Sequence, residues 1–387
     1  MMDLILLGAS GSIGSQTLEI IEEEQDNFRL VAFSVGNRVD KINEILDKHP
    51  SVKAISVKEK AKCLELKKKY PHIEVYYGDE GLLRLIETVK ANMVVNALVG
   101  FVGLASTVHA LKKGMEVALA NKEAIVVGGE LIEDLLKKKG GKIYPIDSEH
   151  VALSKCFGND CSIVKEAYIT ASGGPFLGKS EKETENVTVE EALAHPNWKM
   201  GAKITIDSAT MMNKGFEVIE ASYLFNLPSE KIKIVIHPES KVHAAVRFID
   251  EAFIFDLGPA DMKVPISYAL HRANRVNVKT DALSFKDIPA LHFIPFEIEK
   301  YPLVGLAYDA LGRKKYAPTI LNAANEIAVY AFLNKKIGFN DITRVVTHIY
   351  NEFVDTLDLG KISLNKLIEA DKLIREKTAK FIEGGKV

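Results

Sequence analysis

A glycine-rich turn between a short apolar run and a helical pattern constrains the fold of this chain more than any other feature. Residues 4–7 are an apolar run typical of a buried strand, GASGSIG follows at 8–14, and 15–24 shows helical spacing. Glycines let the backbone approach a pyrophosphate closely, and the N-terminus of the next helix supplies free N–H groups and a favourable dipole. The G-x-x-G-x-x-G spacing departs from the usual G-x-G-x-x-G, so an ordinary strand-to-helix turn is the alternative.

The pattern of apolar runs divides the chain near Asp147. Before it, apolar strands separated by helices predict βαβ units around a parallel sheet. After it, partly alternating strands at 166–170, 231–236, 242–248 and 252–255 predict a sheet with one solvated face. Further predictions are a mobile loop with a short helix near 181–198, a linker at 272–298 carrying Pro289 and Pro295, and four helices at 303–311, 319–333, 342–353 and 363–381 that suggest a small bundle.

Length and charge limit the class of protein. The 387 residues exceed the roughly 250–300 at which single cores stop growing, so two or three domains are expected. A formal net charge of -2 argues against nucleic acid or an anionic membrane as the main partner. The three cysteines form no Cys-x-x-Cys pair, and no apolar stretch is long enough to span a bilayer. We therefore expect a cytoplasmic protein.

The end of the second predicted strand bears on the choice of nucleotide. Enzymes that use NAD usually place an acid there for the ribose 2′-hydroxyl, whereas this chain has Gly36, Asn37 and Arg38. A guanidinium group suits a 2′-phosphate, so the segment favours NADPH. The alternative is that Arg38 is a surface charge.

Carboxylates in two segments are candidate metal ligands. Asp147 and Glu149 follow an apolar strand, and on an extended segment both side chains would point to one side. Glu217 lies four residues after Asn213 and would share a helix face with it. Three carboxylates without a nearby cysteine suit Mg²⁺ or Mn²⁺ better than zinc. Alone, the first pair also fits an exposed turn.

Hydroxyl, amide and ammonium groups near these acids are suited to a phosphate. Ser208, Asn213 and Lys214 are donors within one short segment. Ser172 precedes two glycines whose N–H groups would form an anion nest, although a plain turn is the alternative there.

Eight segments together resemble the 1-deoxy-D-xylulose 5-phosphate reductoisomerase family. They occur in the family's order and cover most of the chain, and DSATMMNKG is highly specific. The segments are GASGSIG (8–14), ANKE (120–123), DSEH (147–150), SGGPF (172–176), HPNWKMG (195–201), DSATMMNKGFEVIEA (207–221), HPES with VHA (237–244) and NAANEIAV (322–329).

The resemblance implies an α/β chain with three domains, a homodimer, and two cofactors, NADPH and one divalent cation. The domains are a Rossmann-like NADPH-binding domain at 1–147, a central α+β catalytic domain at 148–271 with a mobile loop near 181–201, and, after the linker at 272–298, a C-terminal four-helix bundle at 299–387. The implied reaction converts 1-deoxy-D-xylulose 5-phosphate to 2-C-methyl-D-erythritol 4-phosphate in non-mevalonate isoprenoid precursor synthesis, by carbon–carbon rearrangement and then hydride transfer.

The same resemblance implies individual residue roles. The metal ligands are Asp147, Glu149 and Glu217, and the catalytic residues are Lys122, Glu149, His195 and Glu217. Besides these, the substrate contacts are Ser148, Ser172, Trp198, Ser208, Asn213 and Lys214. The cofactor residues are Ser10, Gly11, Ser12, Ile13, Gly36, Asn37, Arg38, Asn121, Glu123 and Gly201.

Some features depart from the family pattern or stay open. Pro259 stands one position earlier than usual, and Asn37-Arg38 replaces the common Lys-Asn. His243 and Met262 match positions near the active site without a defined role. The segment 322–326 caps or links helices, or contributes to a dimer interface. The alternative functions are an NADP-linked sugar-phosphate oxidoreductase without rearrangement and a non-catalytic dinucleotide sensor.

Overall fold

The computed structural model describes residues 1–158, 161–198, 200–288 and 290–385. Two residues named in the sequence predictions, Lys199 and Pro289, lie outside these ranges. The described chain forms two compact units. The first contains Met1–Ala124, Ile132–Asp147 and Asp261–Thr280, and the second contains Ile125–Leu131, Ser148–Ala260 and the chain from Asp281 onward. Among the described residues, no helix has both the length and the apolar character that crossing a bilayer requires.

Strands and helices alternate up to Asp147, as the apolar pattern predicts. The elements are β1 (Met2–Leu7), α1 (Ser12–Glu23), β2 (Phe28–Val35), α2 (Ile42–Lys48), β3 (Ala54–Val57), α3 (Lys60–Lys69), β4 (Glu74–Tyr77), α4 (Gly78–Thr88), β5 (Met93–Asn96), α5 (Gly103–Lys112), β6 (Glu116–Leu119), α6 (Lys122–Lys139) and β7 (Ile143–Pro145). The sequence predictions named no strand or helix for β4 and α4, and β4 shows no continuous apolar run because its end residues, Glu74 and Tyr77, are exposed.

The strands of the first unit form a parallel sheet, which confirms that prediction. Within the described chain it has seven strands in the order β4-β3-β2-β1-β5-β6-β7. The order reverses between β1 and β5, whose carboxyl ends are in register at Leu7 and Asn96. In open α/β sheets, ligands bind at such a switch point. The glycine turn leaves β1 at this edge of the sheet.

Burial on both faces explains why β1 reads as a continuous apolar run. Leu4, Ile5, Leu6 and Leu7 are completely buried. Parallel sheets are usually covered by helices on both sides, so no solvated face imposes alternation. The turn after β1 is thereby anchored in the core of the first unit.

The remaining elements follow Asp147. They are α7 (Ser148–Phe157), β8 (Val164–Ala171), α8 (Glu181–Thr184), α9 (Val189–Ala192), α10 (Ala202–Ala209), α11 (Met212–Phe225), β9 (Ile232–Ile236), β10 (Val242–Phe248), β11 (Phe253–Leu257), α12 (Lys263–Leu270), β12 (Ile294–Pro295), α13 (Pro302–Arg313), α14 (Ala317–Leu333), α15 (Phe339–Phe353) and α16 (Leu364–Glu383). Of these, α12 belongs to the first unit and the others to the second.

A mixed sheet lies in the second unit. Its order is β11-β10-β8-β9-β12, with β8 and β9 parallel and the other pairs antiparallel. Strand β12 falls within the residues predicted as a linker. It was missed because its two residues pair with Val235 and Ile236 of β9, a long-range contact that leaves no local periodicity.

One local prediction about the candidate site is wrong. Asp147 and Glu149 do not lie on one extended segment, because α7 begins at Ser148 and places Glu149 in its first turn. The alternation of side chains along a strand therefore does not set the direction of this pair.

The C-terminal helices share a hydrophobic core with the mixed sheet. Apolar residues of α13, α14 and α15 cluster with those of β8, β9 and β10. Helix α14 also packs against α10, which belongs to the central part of the chain. The helices are thus integral to the second unit, while the three-domain division and the four-helix bundle stay predictions.

Candidate active site

The glycine turn of the first unit has a backbone that larger residues would not allow. Gly8 has a φ of +85°, and a Cβ atom there would lie 2.6 Å from the Ala97 carbonyl oxygen. A Cβ atom on Gly14 would lie 2.2 Å from the carbonyl oxygen of Gly8. Gly11 and Ser12, at the N-terminus of α1, are exposed. The turn therefore presents helix N–H groups at the switch point of the sheet, as a bound pyrophosphate requires.

The predicted 2′-phosphate segment follows the neighbouring strand. Gly36, Asn37 and Arg38 come directly after β2 and are exposed. Because β1 and β2 are parallel neighbours, this segment leaves the same edge of the sheet as the glycine turn.

Asn121 has a structural task at the start of α6. Its Oδ1 atom accepts a hydrogen bond from the Ala124 N–H at 3.2 Å and caps the helix. Its amide donates to the carbonyl oxygens of Leu98 and Gly100, at 3.0 and 2.8 Å. The residue therefore holds the loop after β5 against α6, and Glu123, which also accepts from this amide, is buried beside it.

Lys122 and Asp147 form an ion pair in the first unit. Lys122 Nζ lies 2.6 Å from Asp147 Oδ2, and both side chains are largely shielded from solvent. Lys122 opens α6 just after β6, and Asp147 follows β7, so both stand beyond the carboxyl ends of adjacent parallel strands.

Two predicted metal ligands meet around one ammonium group in the second unit. Lys214 Nζ donates to Glu217 Oε2 at 2.7 Å and also to Glu149 Oε1. Asn213 donates to the other carboxylate oxygen of Glu217, which is 1% exposed. Breaking a buried ion pair costs several kcal/mol, about 3–5, because it leaves a charge uncompensated. The structure thus brings Glu149 of α7 together with Asn213, Lys214 and Glu217 of α11.

The residues predicted to bind the phosphate lie in segments whose backbones contact one another. Gly174 packs so closely on the end of α10 that a Cβ atom there would lie 2.9 Å from the Ser208 carbonyl oxygen. The Ser172 hydroxyl accepts from the Gly174 N–H at 3.2 Å. Met211, in the left-handed conformation with a φ of +62°, then turns the chain from α10 into α11. Ser172, Ser208 and the start of α11 therefore lie on adjacent turns.

Two backbone N–H groups fix the tautomer of His195. The N–H groups of Asn197 and Trp198 both donate to His195 Nδ1, at 3.2 and 3.0 Å. Nδ1 is therefore the acceptor, and the neutral ring carries its proton on Nε2, which donates to Ser172 Oγ at 3.1 Å. Burial lowers the pKa of His195, and the nearby Lys214 charge lowers it further. The neutral ring thus ties the Trp198 segment to the Ser172 turn.

Other predicted residues fall around this cluster or elsewhere. The Trp198 indole lies 6.2 Å from the His243 ring, measured between centroids, and burial lowers the pKa of His243. Ser148 donates to Glu149 Oε2 at 2.5 Å. Gly201, predicted to bind the cofactor, is the N-cap of α10 in the second unit. Met262 lies in the first unit.

Sequence reasoning assigned no individual role to His150 and Glu220. His150 Nε2 lies 3.0 Å from the Glu217 carbonyl oxygen, and His150 Nδ1 lies 3.5 Å from Glu220 Oε2. Both side chains are completely buried. The sequence feature that could have indicated them is their position: His150 directly follows Glu149, and Glu220 lies one helical turn after Glu217.

Family models match the chain along most of its length. The model described as 1-deoxy-D-xylulose 5-phosphate reductoisomerase matches residues 4–129. Two further models, for C-terminal domains of the same enzyme, match residues 143–225 and 257–377.

Curated relatives carry the same name. The reductoisomerase of Thermoanaerobacter pseudethanolicus is 42% identical over 387 residues, covering 98% of this chain and 99% of its own. The chain belongs to the 1-deoxy-D-xylulose 5-phosphate reductoisomerase family. The reductoisomerase of Geobacillus kaustophilus is 47% identical over 337 residues, covering 86% and 88% of the two chains.

Solved reductoisomerase structures share the fold. One, a complex with NADPH, fosmidomycin and magnesium, has a TM-score of 0.93 and 37% identity and covers 99% of this chain and 98% of its own. Another, the Zymomonas mobilis reductoisomerase in complex with NADPH, has a TM-score of 0.90 and 35% identity and covers 99% of each chain.

Proposed function

We propose that this chain catalyses the NADPH-dependent conversion of 1-deoxy-D-xylulose 5-phosphate to 2-C-methyl-D-erythritol 4-phosphate. Membership of the family supports the reaction, which is a step of non-mevalonate isoprenoid precursor synthesis. The observation that carries the proposal is the convergence of Glu149, Lys214 and Glu217 from two helices, next to hydroxyl and amide donors. A site of this kind combines oxygen ligands for a cation with donors for a phosphate.

The carboxylates fit one Mg²⁺ or Mn²⁺ ion. Glu149 and Glu217 direct oxygen atoms toward the same ammonium group, so a positive charge is already stabilised between them. Asp147, joined to Glu149 through Ser148, is proposed as the third ligand. When bound, the cation supplies Lewis acidity toward the adjacent ketone and hydroxyl oxygens of the substrate and orients them.

The chain's own donors hold the phosphate at a distance from the bond that breaks. Ser172, Ser208, Asn213 and Lys214 are proposed for this task. Because these contacts do not change during the rearrangement, their binding energy serves orientation and loop closure. Lys214 supplies charge, while the neutral groups fix the direction of the phosphate.

The segment around His195 is proposed to close over the substrate. His195 links this segment to Ser172, and Trp198 lies against His243. Closure would exclude water from the aldehyde that the rearrangement forms. Lys122 and Ser148 are proposed to contact or orient the substrate.

The first unit is proposed to bind NADPH at the glycine turn. Ser10, Gly11, Ser12 and Ile13 would line the pyrophosphate, and the exposed segment 36–38 would meet the 2′-phosphate. Asn121, Glu123 and Gly201 complete the proposed cofactor residues. NADPH supplies the hydride, and these residues supply its alignment.

A homodimer in the cytoplasm completes the proposal. Strand β11 is an edge of the mixed sheet, and Phe253, Ile254, Phe255 and Leu257 on it are each at least 40% exposed. An exposed apolar edge strand is a template for pairing with another chain. The odd number of cysteines supports a reducing compartment.

The test follows NADPH absorbance with 1-deoxy-D-xylulose 5-phosphate, with and without a chelator. We expect oxidation that stops with the chelator and returns with Mg²⁺ or Mn²⁺, and a weaker rate with NADH. The product should be the branched methyl-tetritol phosphate. An unbranched reduced sugar, or no oxidation, would reject the proposed reaction.

A further inference from the structure

A buried carboxylate on α10 is held by two helices. Asp207 is 2% exposed, and its Oδ2 atom lies 2.9 Å from Lys203 Nζ on the same helix. Its Oδ1 atom accepts a hydrogen bond at 2.8 Å from Asn325 Nδ2 on α14, 118 residues later in the chain. Each carboxylate oxygen therefore has a donor from a different direction, one of them supplied by the C-terminal helices.

The Asn325 contact sets where the end of α10 lies. A buried carboxylate is costly unless donors satisfy it, so Asp207 moves only with its partners. Asn325 is completely buried in α14 and has little freedom to follow another position. The amide group thus fixes α10 relative to α14 at the residue next to Ser208.

The end of α10 in turn orders the predicted phosphate residues. The Ser208 carbonyl oxygen accepts from the Met211 N–H at 3.2 Å, in the turn that begins α11. The same carbonyl group limits the approach of Gly174, which follows Ser172 by two residues. A shift of Asp207 would therefore displace Ser208 directly, and the Ser172 turn and the start of α11 through it.

We propose that Asn325 is a positioning residue for the phosphate group of the substrate, acting through Asp207 on Ser208. The inference rests on the proposed function, because it assumes that Ser208 contacts that phosphate. It also gives part of the segment 322–326 a task inside the subunit. Asn325 itself does not touch the substrate in this proposal.

The neighbouring Asn322 provides a matched control. It lies on the same helix, is also completely buried, and its amide atoms have no hydrogen-bond partner among the residues that the structure describes. The variants Asn325→Leu and Asn322→Leu make the same chemical change at equal burial. Only the first removes a donor from Asp207.

The experiment compares the two variants with the wild type. The readouts are the KM for 1-deoxy-D-xylulose 5-phosphate, kcat, the Kd for inorganic phosphate by calorimetry, and the Kd for NADPH. We expect Asn325→Leu to raise the KM and the phosphate Kd about ten-fold, the usual scale for a lost hydrogen bond to a charged group, with the NADPH Kd unchanged. Asn322→Leu should leave the KM and the phosphate Kd within about two-fold of the wild type, since no donor to Asp207 is lost.

Several outcomes would overturn the proposal. These are an unchanged KM and phosphate Kd in Asn325→Leu, equal shifts in both variants, or a lower active fraction with wild-type constants. If Asn325→Leu does not fold, Asn325→Ala is measured in the same way, with Asn322→Ala as its control. Phosphate binding needs no turnover, so it is informative even if the wild type fails to oxidise NADPH, which would reject the proposed function instead. A wild-type protein that binds no phosphate would contradict the positioning role.

Discussion

Lys214 Nζ lies 2.7 Å from Glu217 Oε2, one turn along α11, and the same ammonium group donates to Glu149 of α7. The ammonium group therefore links two helices and balances two carboxylates, of which Glu149 is largely and Glu217 almost completely shielded from water. This relationship makes Lys214 and Glu217 the most informative residues to change.

Lys214→Met removes the charge and keeps a side chain of similar length. We expect the KM for 1-deoxy-D-xylulose 5-phosphate to rise at least about ten-fold, because a charge-assisted hydrogen bond to the phosphate is lost. The KM for NADPH should change little. Lys233→Met, at an exposed position of β9, is the control. Steady-state kinetics that give the same substrate KM in both variants would remove Lys214 from the phosphate site.

Glu217→Gln keeps the shape of the side chain and removes its charge. We expect turnover to fall by about a hundred-fold or more, a scale typical of losing one preorganised electrostatic group, while the Kd for NADPH stays the same. Titration with Mn²⁺ should show weaker activation. Glu376→Gln, at an exposed position of α16, serves as the control. Turnover close to the wild-type value at ordinary metal concentration would contradict the ligand role.

Because the pKa of His195 is lowered, we expect the affinity for substrate to fall at acid pH. Burial, and then the charge of Lys214, lower its pKa from 6.5, so the folded chain keeps the ring neutral where an unfolded chain protonates it. The contribution of the neutral His195 ring to the stability of the folded chain is therefore intact above pH 6.5. It falls as the pH drops from 6.5 through the pKa that His195 has in the folded chain. Protonation of Nδ1 would also break the contacts to the N–H groups of Asn197 and Trp198.

The pH profile of the substrate KM tests this role of His195. In the wild type the KM should rise as the pH falls below the folded pKa of the ring. His195→Asn places an amide oxygen where Nδ1 accepts and does not titrate, so its KM profile should be flat over the same range. An equally steep acid rise in the wild type and in His195→Asn would show that another group is responsible.

We expect the replacement of Trp198 to impair closure of its segment over the substrate rather than folding of the chain. Its indole lies 6.2 Å from the His243 ring, and Trp198→Ala would remove this contact. We expect kcat to fall about ten-fold, since a contact between two aromatic rings contributes roughly 0.5–1.5 kcal/mol. Trp198→Phe should retain most of the activity. A melting temperature that falls in Trp198→Ala without any change in kcat would reject the lid role.

From the exposed edge strand β11 we expect the chain to form a dimer. Ile254→Lys places a charge on an apolar edge strand. Natural proteins use such charges to prevent an edge strand from pairing with another chain. We expect light scattering to give the mass of two chains for the wild type and of one chain for the variant at micromolar concentration. Ile368→Lys changes an apolar residue of α16 with similar exposure and should leave the mass unchanged. A wild-type monomer would refute the dimer.

The order of elements in the first unit was largely predictable, since it depends on local patterns. Strand β1, for example, contains the apolar run predicted at 4–7, because burial on both faces leaves no polar residue to interrupt that run. The strand β12 and the helical start at Ser148 were not predictable in this way. Strand β12 depends on pairing with β9, and the Asp147–Glu149 spacing is compatible with either a strand or a helix.

Local patterns in the chain were enough to predict the parallel sheet with its glycine turn, and the motifs were enough to predict the family and the residue types of the site. The contacts between those residues depend on the folded arrangement: Glu149 meets Lys214, Ser172 meets His195, and Asp207 meets Asn325. This is because periodicity and turn chemistry report only on neighbours in the chain. Hydrogen bonds between residues separated by 23 to 118 positions form only when packing of the helices and the mixed sheet brings them together.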